Sequence, residues 1–201
     1  MFLDEKLVQV ELKKQVKLDD IEAVEREKEE IRKQELNQKT VSQFIDELRS
    51  GTVVIDEVKY CCEKQEKLYL FSDDIENIVK QGNSVLVAYK TLEMGINLAY
   101  FESALVVKNE KEYQKQMQVH FRQNGVPYYP VDTGKLKSGN TKIFYASGLM
   151  TSPIGGIFVL HYYYKTKNGF ASGNYTCRLL KRYSFEHLFV AMLHLMCEEE
   201  N

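Results

Sequence analysis

Three prolines in 201 residues argue against long extended linkers. No stretch approaches the roughly 20 consecutive apolar residues that a membrane-spanning helix needs, so no membrane partner is expected. An apolar leader is missing as well: Met1-Phe2-Leu3 runs straight into Asp4-Glu5-Lys6. Without a secretory signal the expected location is cytoplasmic. Cysteine is scarce and badly placed for bridging, since the four are Cys61, Cys62, Cys177 and Cys197, two of them adjacent. All four are expected to be reduced. Without that signal, the glycosylation sequon Asn174-Tyr175-Thr176 reads as chance. Gly125 and Gly134-Lys135 lack phosphate-loop spacing, and no cofactor is expected.

What is present is globular composition: 44% apolar and 28% charged residues. A chain of this length buries roughly 70% of its unfolded surface and needs no staples. The net charge of −2 argues against a general nucleic-acid binder. That charge is split, however. Residues 1–102 carry 15 Lys/Arg and 22 Asp/Glu, a balance of −7; residues 103–201 carry 12 and 7, a balance of +5. Such a split marks either a docking surface or two regions that face each other.

Hydrophobic spacing divides the chain into a charged helical arm, residues 1–51, and an α+β globular domain, residues 52–201. Residues 4–18 fit a helix and a strand about equally, with the helix favoured because the next segment is helical and no turn signal separates the two. Residues 19–37 read as a charged helix with Glu22/Arg26 and Glu29/Lys33 at i,i+4. Lys28 and Glu35 interrupt its heptad, which disfavours a long coiled coil. Thr40-Val41-Ser42-Gln43 fits a capping box, followed by an apolar face of Val41, Phe44, Ile45 and Leu48 that needs a partner surface. Gly51 ends this helix.

From residue 52 short strands are expected over 52–56, 58–60 and 67–71. One or two helical turns come next, over Asp73–Lys80. Ser84–Tyr89 and Ile96–Phe101 read as a hairpin around Glu93-Met94-Gly95. Asn109 caps a helix to about Gln123, with Tyr113, Met117, Val119 and Phe121 as its core residues. Strands are expected over Thr141–Ser147, Gly156–Thr166 and Gly173–Leu180. Lys167-Asn168-Gly169 is the turn between the last two, lengthened by Phe170-Ala171-Ser172. Ser184 caps a final helix that turns Phe185, Leu188, Phe189, Met192, Leu193 and Met196 inward. The fold class is thus α+β, an antiparallel sheet flanked by helices.

This order of elements over residues 57–197 resembles the PsbP-like fold. That fold is shared by photosystem PsbP proteins, Ran-binding Mog-type proteins, bacterial DcrB-like proteins and Eag-type chaperones. The resemblance is carried by the Met94-Gly95-Ile96 hairpin, by Gly156-Ile157-Phe158 opening a strand, and by Tyr175-Thr176-Cys177 leading into the last helix. It implies binding rather than catalysis, because these proteins are mostly adaptors, chaperones or accessory subunits. Fold alone does not fix function.

Candidate chemistry is sparse. Cys177 with His161 or His187 could make a nucleophile and base, but a cysteine in an alternating strand is ordinarily a small core residue. His194 and Cys197 at i,i+3 could hold a metal only with two further ligands. Cys61 and Cys62 are poor candidates, because neighbours on a strand point to opposite faces. Asp132-Thr133-Gly134 is a single aspartic-protease-like triplet and reads as a turn. In His161-Tyr162-Tyr163-Tyr164-Lys165, Tyr162 and Tyr164 should face the core. His161, Tyr163 and Lys165, with Tyr128 and Tyr129, would then face a peptide or a single-stranded nucleic acid, or simply the solvent boundary.

The expected function is a non-enzymatic interaction module, an adaptor, chaperone or immunity-type factor that binds another polypeptide. The 41/44/45/48 face and the tyrosine-rich strand are the expected docking surfaces, and either would also serve a homo-oligomer. A small Cys177 hydrolase and a single-strand binder using the basic C-terminal half are the alternatives.

Overall fold

The computed structural model describes residues 38–65, 67–102, 107–152 and 155–199. The expectations for residues 1–37 lie outside them. The compact unit begins at Lys39. The reason is helix α1 (Val41–Ser50), which buries Phe44 and Leu48 to 3% and 2% exposure in the main core. Its start is the reciprocal capping box of the sequence: Thr40 Oγ1 accepts from the Gln43 N–H, and Gln43 Oε1 accepts from the Thr40 N–H. Gly51 closes it at φ 78°, a left-handed conformation that glycine adopts at least cost.

Three short strands come next as an antiparallel meander: β1 (Thr52–Ile55), β2 (Val58–Gln65) and β3 (Leu68–Phe71). The larger sheet has seven strands, β4 (Ile75–Gln81), β5 (Ser84–Tyr89), β6 (Met94–Phe101), β7 (Tyr128–Ser138), β8 (Thr141–Ser152), β9 (Gly155–Thr166) and β10 (Gly169–Arg178). Their order is β4-β5-β6-β10-β9-β8-β7, with every neighbouring pair antiparallel. Helix α2 (Glu110–Gln123) connects β6 to β7, with Asn109 as its cap. A 3-10 turn (Leu179–Lys181) leads into helix α3 (Arg182–Glu199). The class is α+β and mostly antiparallel.

Strand alternation assigns the faces. Tyr162, Tyr164, Tyr175, Cys177, Ile143, Ile96 and Val87 point to one face, where they meet α3, α1 and the small meander in a single core. Tyr162 stacks on Tyr175, and Tyr175 on Phe189 of α3, at centroid distances of 5.3 and 5.1 Å. Gly173 makes room for this stack. A Cβ there would lie 2.1 Å from Asn97 O and 2.5 Å from the Tyr162 hydroxyl. Helix α3 is apolar nearly all round, because it is covered by the sheet on one side and by α1 on another. Ala191, Leu195 and Cys197 are therefore buried alongside the six inward residues that the spacing predicts. None of the described helices is long and apolar enough to cross a membrane.

Four local expectations are corrected. Asp73–Lys80 contains strand β4 rather than helical turns. Ile75, Ile78 and Val79 have helical spacing, but the segment pairs with β5 in register. Asp132-Thr133-Gly134 lies within β7, after a bulge at Pro130, and is not a turn. The Tyr145 ring packs across Gly134, only 2.1 Å from where a Cβ would sit. Thr166 pairs directly with Gly169, so Lys167-Asn168 is a tight two-residue turn and Phe170-Ala171-Ser172 is strand. Val119 is 48% exposed and not core.

Candidate functional site

The face opposite α3 is where the molecule offers a surface. Helix α2 lies over β7 and β8 and closes a second, smaller core of Tyr113, Phe144, Ala146, Tyr163 and Phe170. The α2 sequence is mostly Glu, Lys and Gln, and Tyr113 is its one fully buried residue. A helix with so narrow an apolar stripe covers only part of a sheet. Over β4, β5 and β6 the same face is open. Leu86 and Val79 are directly paired across β5 and β4, and they are 46% and 44% exposed. Phe101 at the end of β6 is 44% exposed and stacks on Phe170 at 4.7 Å. Between them lie small or polar residues, among them Asn97, Ala99, Ser172 and Asn174.

The open half ends in a bare edge. From Glu76 to Gln81 every residue of β4 is exposed, and β5 is its only strand neighbour among the described residues. Ile78 pairs with buried Val87 and is itself 39% exposed on the opposite face. The start of β4 is held firmly. The buried Asp74 carboxylate accepts from the Thr91 N–H at 3.0 Å, from the Leu92 N–H at 2.9 Å, and from the Thr91 hydroxyl. Asp74 O accepts from the Lys90 N–H at 3.1 Å.

The residues singled out in the sequence do not form one surface. Phe44 and Leu48 are buried, and Val41 and Ile45 pack against the same core. The partner that this face needs is the chain's own α3. His187 Nδ1 lies 2.7 Å from Lys39 O, and Arg49 pairs with Glu198 at 2.6 Å. In the tyrosine-rich strand the predicted alternation holds, but the outward set is mostly covered. Tyr163 is 5% exposed against Tyr113 and Phe170. Tyr128 stacks on Phe121 at 4.7 Å, and His161 sits beside both rings. Burial pushes the Tyr128 hydroxyl up to about 12 and lowers His161 to about 4, with His120 adding to the second effect. The hydroxyls of Tyr113 and Tyr128 and Nε2 of His161 are buried with no hydrogen-bond partner among the described residues. Tyr129 is 61% exposed and Lys165 is exposed, at opposite ends of the sheet.

The sheet places Cys177 and His161 on opposite faces. Burial raises the Cys177 thiol to about 12, so it carries little thiolate at neutral pH. Cys197 Sγ donates to Thr141 O at 3.7 Å. Cys61 is exposed and Cys62 buried, as neighbours on a strand must be. Among the described residues no group of three or more His, Cys, Asp or Glu side chains is arranged to hold a metal ion. No protein-family model matches the chain, and no curated protein matches it.

The sequence pattern alone does not point to the β4 edge or to Leu86. A signal is present in Ile78-Val79, two β-branched residues in a segment with neither burial periodicity nor a helix cap.

Proposed function

We propose that this chain is a non-enzymatic polypeptide-binding module that takes an extended partner segment along β4 and the open sheet face beside it. The observation that carries this function is the exposed Val79–Leu86 pair at the β4 edge, whose outer side has no strand neighbour among the described residues. An edge strand presents alternate N–H and C=O groups to an incoming strand, and neighbouring side chains supply specificity. The layered order also supports it: a hairpin, a long helix, four long strands and a C-terminal helix on the opposite face. The PsbP-like resemblance rests on a similar order with three strands after the helix, where this chain has β7 as a fourth, and adaptors and chaperones predominate among such proteins.

The test compares the full chain with a Val79→Lys/Leu86→Lys version in a pull-down read by mass spectrometry, with light scattering on both. A polypeptide retained by the native chain and lost from the charged-edge version is the expected result. A chain that is monomeric and retains no polypeptide overturns the proposal. So does a variant that retains the same polypeptide undiminished.

A further inference from the structure

The basic residues of the C-terminal half converge at one end of the open face. Two hairpin turns, Gly139-Asn140 and Lys167-Asn168, lie side by side there, because β7–β8 and β9–β10 turn at the same end of the sheet. Between them and the residues before α2 is a cleft of about 840 Å³. Among the described residues four lysines line it, Lys108, Lys142, Lys165 and Lys167, against one acid, Glu102. Lys137 stands directly opposite Lys142 across β7–β8. Like charges placed opposite each other on a sheet repel, and the described ion pairs include none of these five lysines. The positive end of α2 adds nothing to this field, since Glu110 and Glu112 in its first turn already answer it.

We infer that this cleft binds an acidic polypeptide segment, an inference that rests on the polypeptide-binding function proposed above. Charge complementarity sets the sign of the ligand. The floor decides between a peptide and a single-stranded nucleic acid. Phe144 and Tyr163 form it, but they are 8% and 5% exposed and packed against other rings or apolar groups, so neither offers a face on which a base could stack. Among the described residues no arginine lines the cleft to grip phosphate with two parallel hydrogen bonds. A second hollow, lined by Phe101, Tyr100 and Lys67, shares Glu102, Thr166, Lys167 and Asn168 with the cleft and leads from it toward Phe101 at the end of β6. Carboxylates on the lysines and apolar side chains over Leu86 and Val79 thus suit a single extended segment.

The experiment is fluorescence anisotropy with the full chain and a labelled peptide of four Glu-Glu-Phe repeats. A Lys-Lys-Phe counterpart and a labelled twelve-residue thymidine strand serve as competing probes. The acidic peptide is expected to bind at low salt, to weaken steeply as salt rises, and to lose at least tenfold in affinity with Lys142→Glu/Lys165→Glu. A Lys142→Gln/Lys165→Gln version should fall between, and circular dichroism confirms that each variant is folded. Binding unchanged by charge reversal, no binding at low salt, or thymidine binding as tight as the peptide would each overturn the inference. A natural partner still retained by the charge-reversed chain would also overturn it while leaving the β4 docking edge standing.

Discussion

The two edges of the seven-stranded sheet are built on opposite principles. At one end, β7 carries Pro130, a bulge beside it, and Lys135 and Lys137 along its length, and α2 packs against it. Proline, bulges and lysine are the devices by which natural sheets keep an edge from pairing with another chain. At the other end, β4 has one early bulge between Ile75 and Asn77 and one lysine, Lys80, but no proline and no covering helix among the described residues, and it runs regularly to Gln81 with Ile78 and Val79 exposed. One edge is well defended and the other only lightly, within one sheet. Where a protein protects one strand more than its counterpart, the less protected strand is the one to examine for a partner.

The difference can be broken first at the anchor of β4. Asp74→Ala strands the buried Leu92 N–H and the Thr91 N–H and is expected to cost about 3 kcal/mol. Chemical denaturation measures the loss, and hydrogen exchange should show β4 and β5 opening before β8 and β9. Asp74→Asn, which keeps one acceptor, should cost less.

The defended half has a different weakness, at His161. Its folded value is lowered from 6.5 to about 4 by burial, so the unfolded chain binds the proton first. Stability from this group is full above pH 6.5 and is lost as pH falls from there toward 4. The loss between pH 7 and pH 5 should be roughly 2 kcal/mol, and His161→Gln should flatten the stability profile in that window. An unchanged slope in the variant would show that α2 does not seal the ring.

Removing the defences should convert one edge into the other. Pro130→Val with Lys135→Val is expected to change stability by less than about 1 kcal/mol. It should nevertheless raise self-association of the chain, seen as a concentration-dependent mass in light scattering. The smallest stability effect belongs to Val79→Lys/Leu86→Lys, within about 0.5 kcal/mol, because both side chains already face solvent. A large loss there would mean that the row supports the fold and is not kept for a partner.

These contrasts also explain what could be read from the chain alone. The Thr40–Gln43 box, the Asn109 cap and the 161–165 alternation are local, and local signals survive in sequence. Strand β4 is obscured because an edge exposed on both faces has no period of two, while Ile75, Ile78 and Val79 happen to fall at helical spacing. Strand β7 is obscured by its own defences, since Pro130 and Gly134 are turn residues in most contexts. The 41/44/45/48 face is plainly apolar. Its cover lies far along the chain, however, as the contact between Lys39 and His187, 148 residues apart, makes clear. Lys137 and Lys142 look like ordinary surface lysines until strand register sets them opposite each other. No spacing rule reveals that.

Helix α3 has a consequence for how the molecule is made. It follows every described strand in the chain, yet it is the element on which the sheet, α1 and the small meander all close. Until residues 182–199 are available, the tyrosine stack has no Phe189 and α1 has only β1 to pack against. Closure therefore couples residues at the greatest separations in the described chain, the kind of topology that folds slowly. For that interval the sheet presents not one open edge but a whole apolar face.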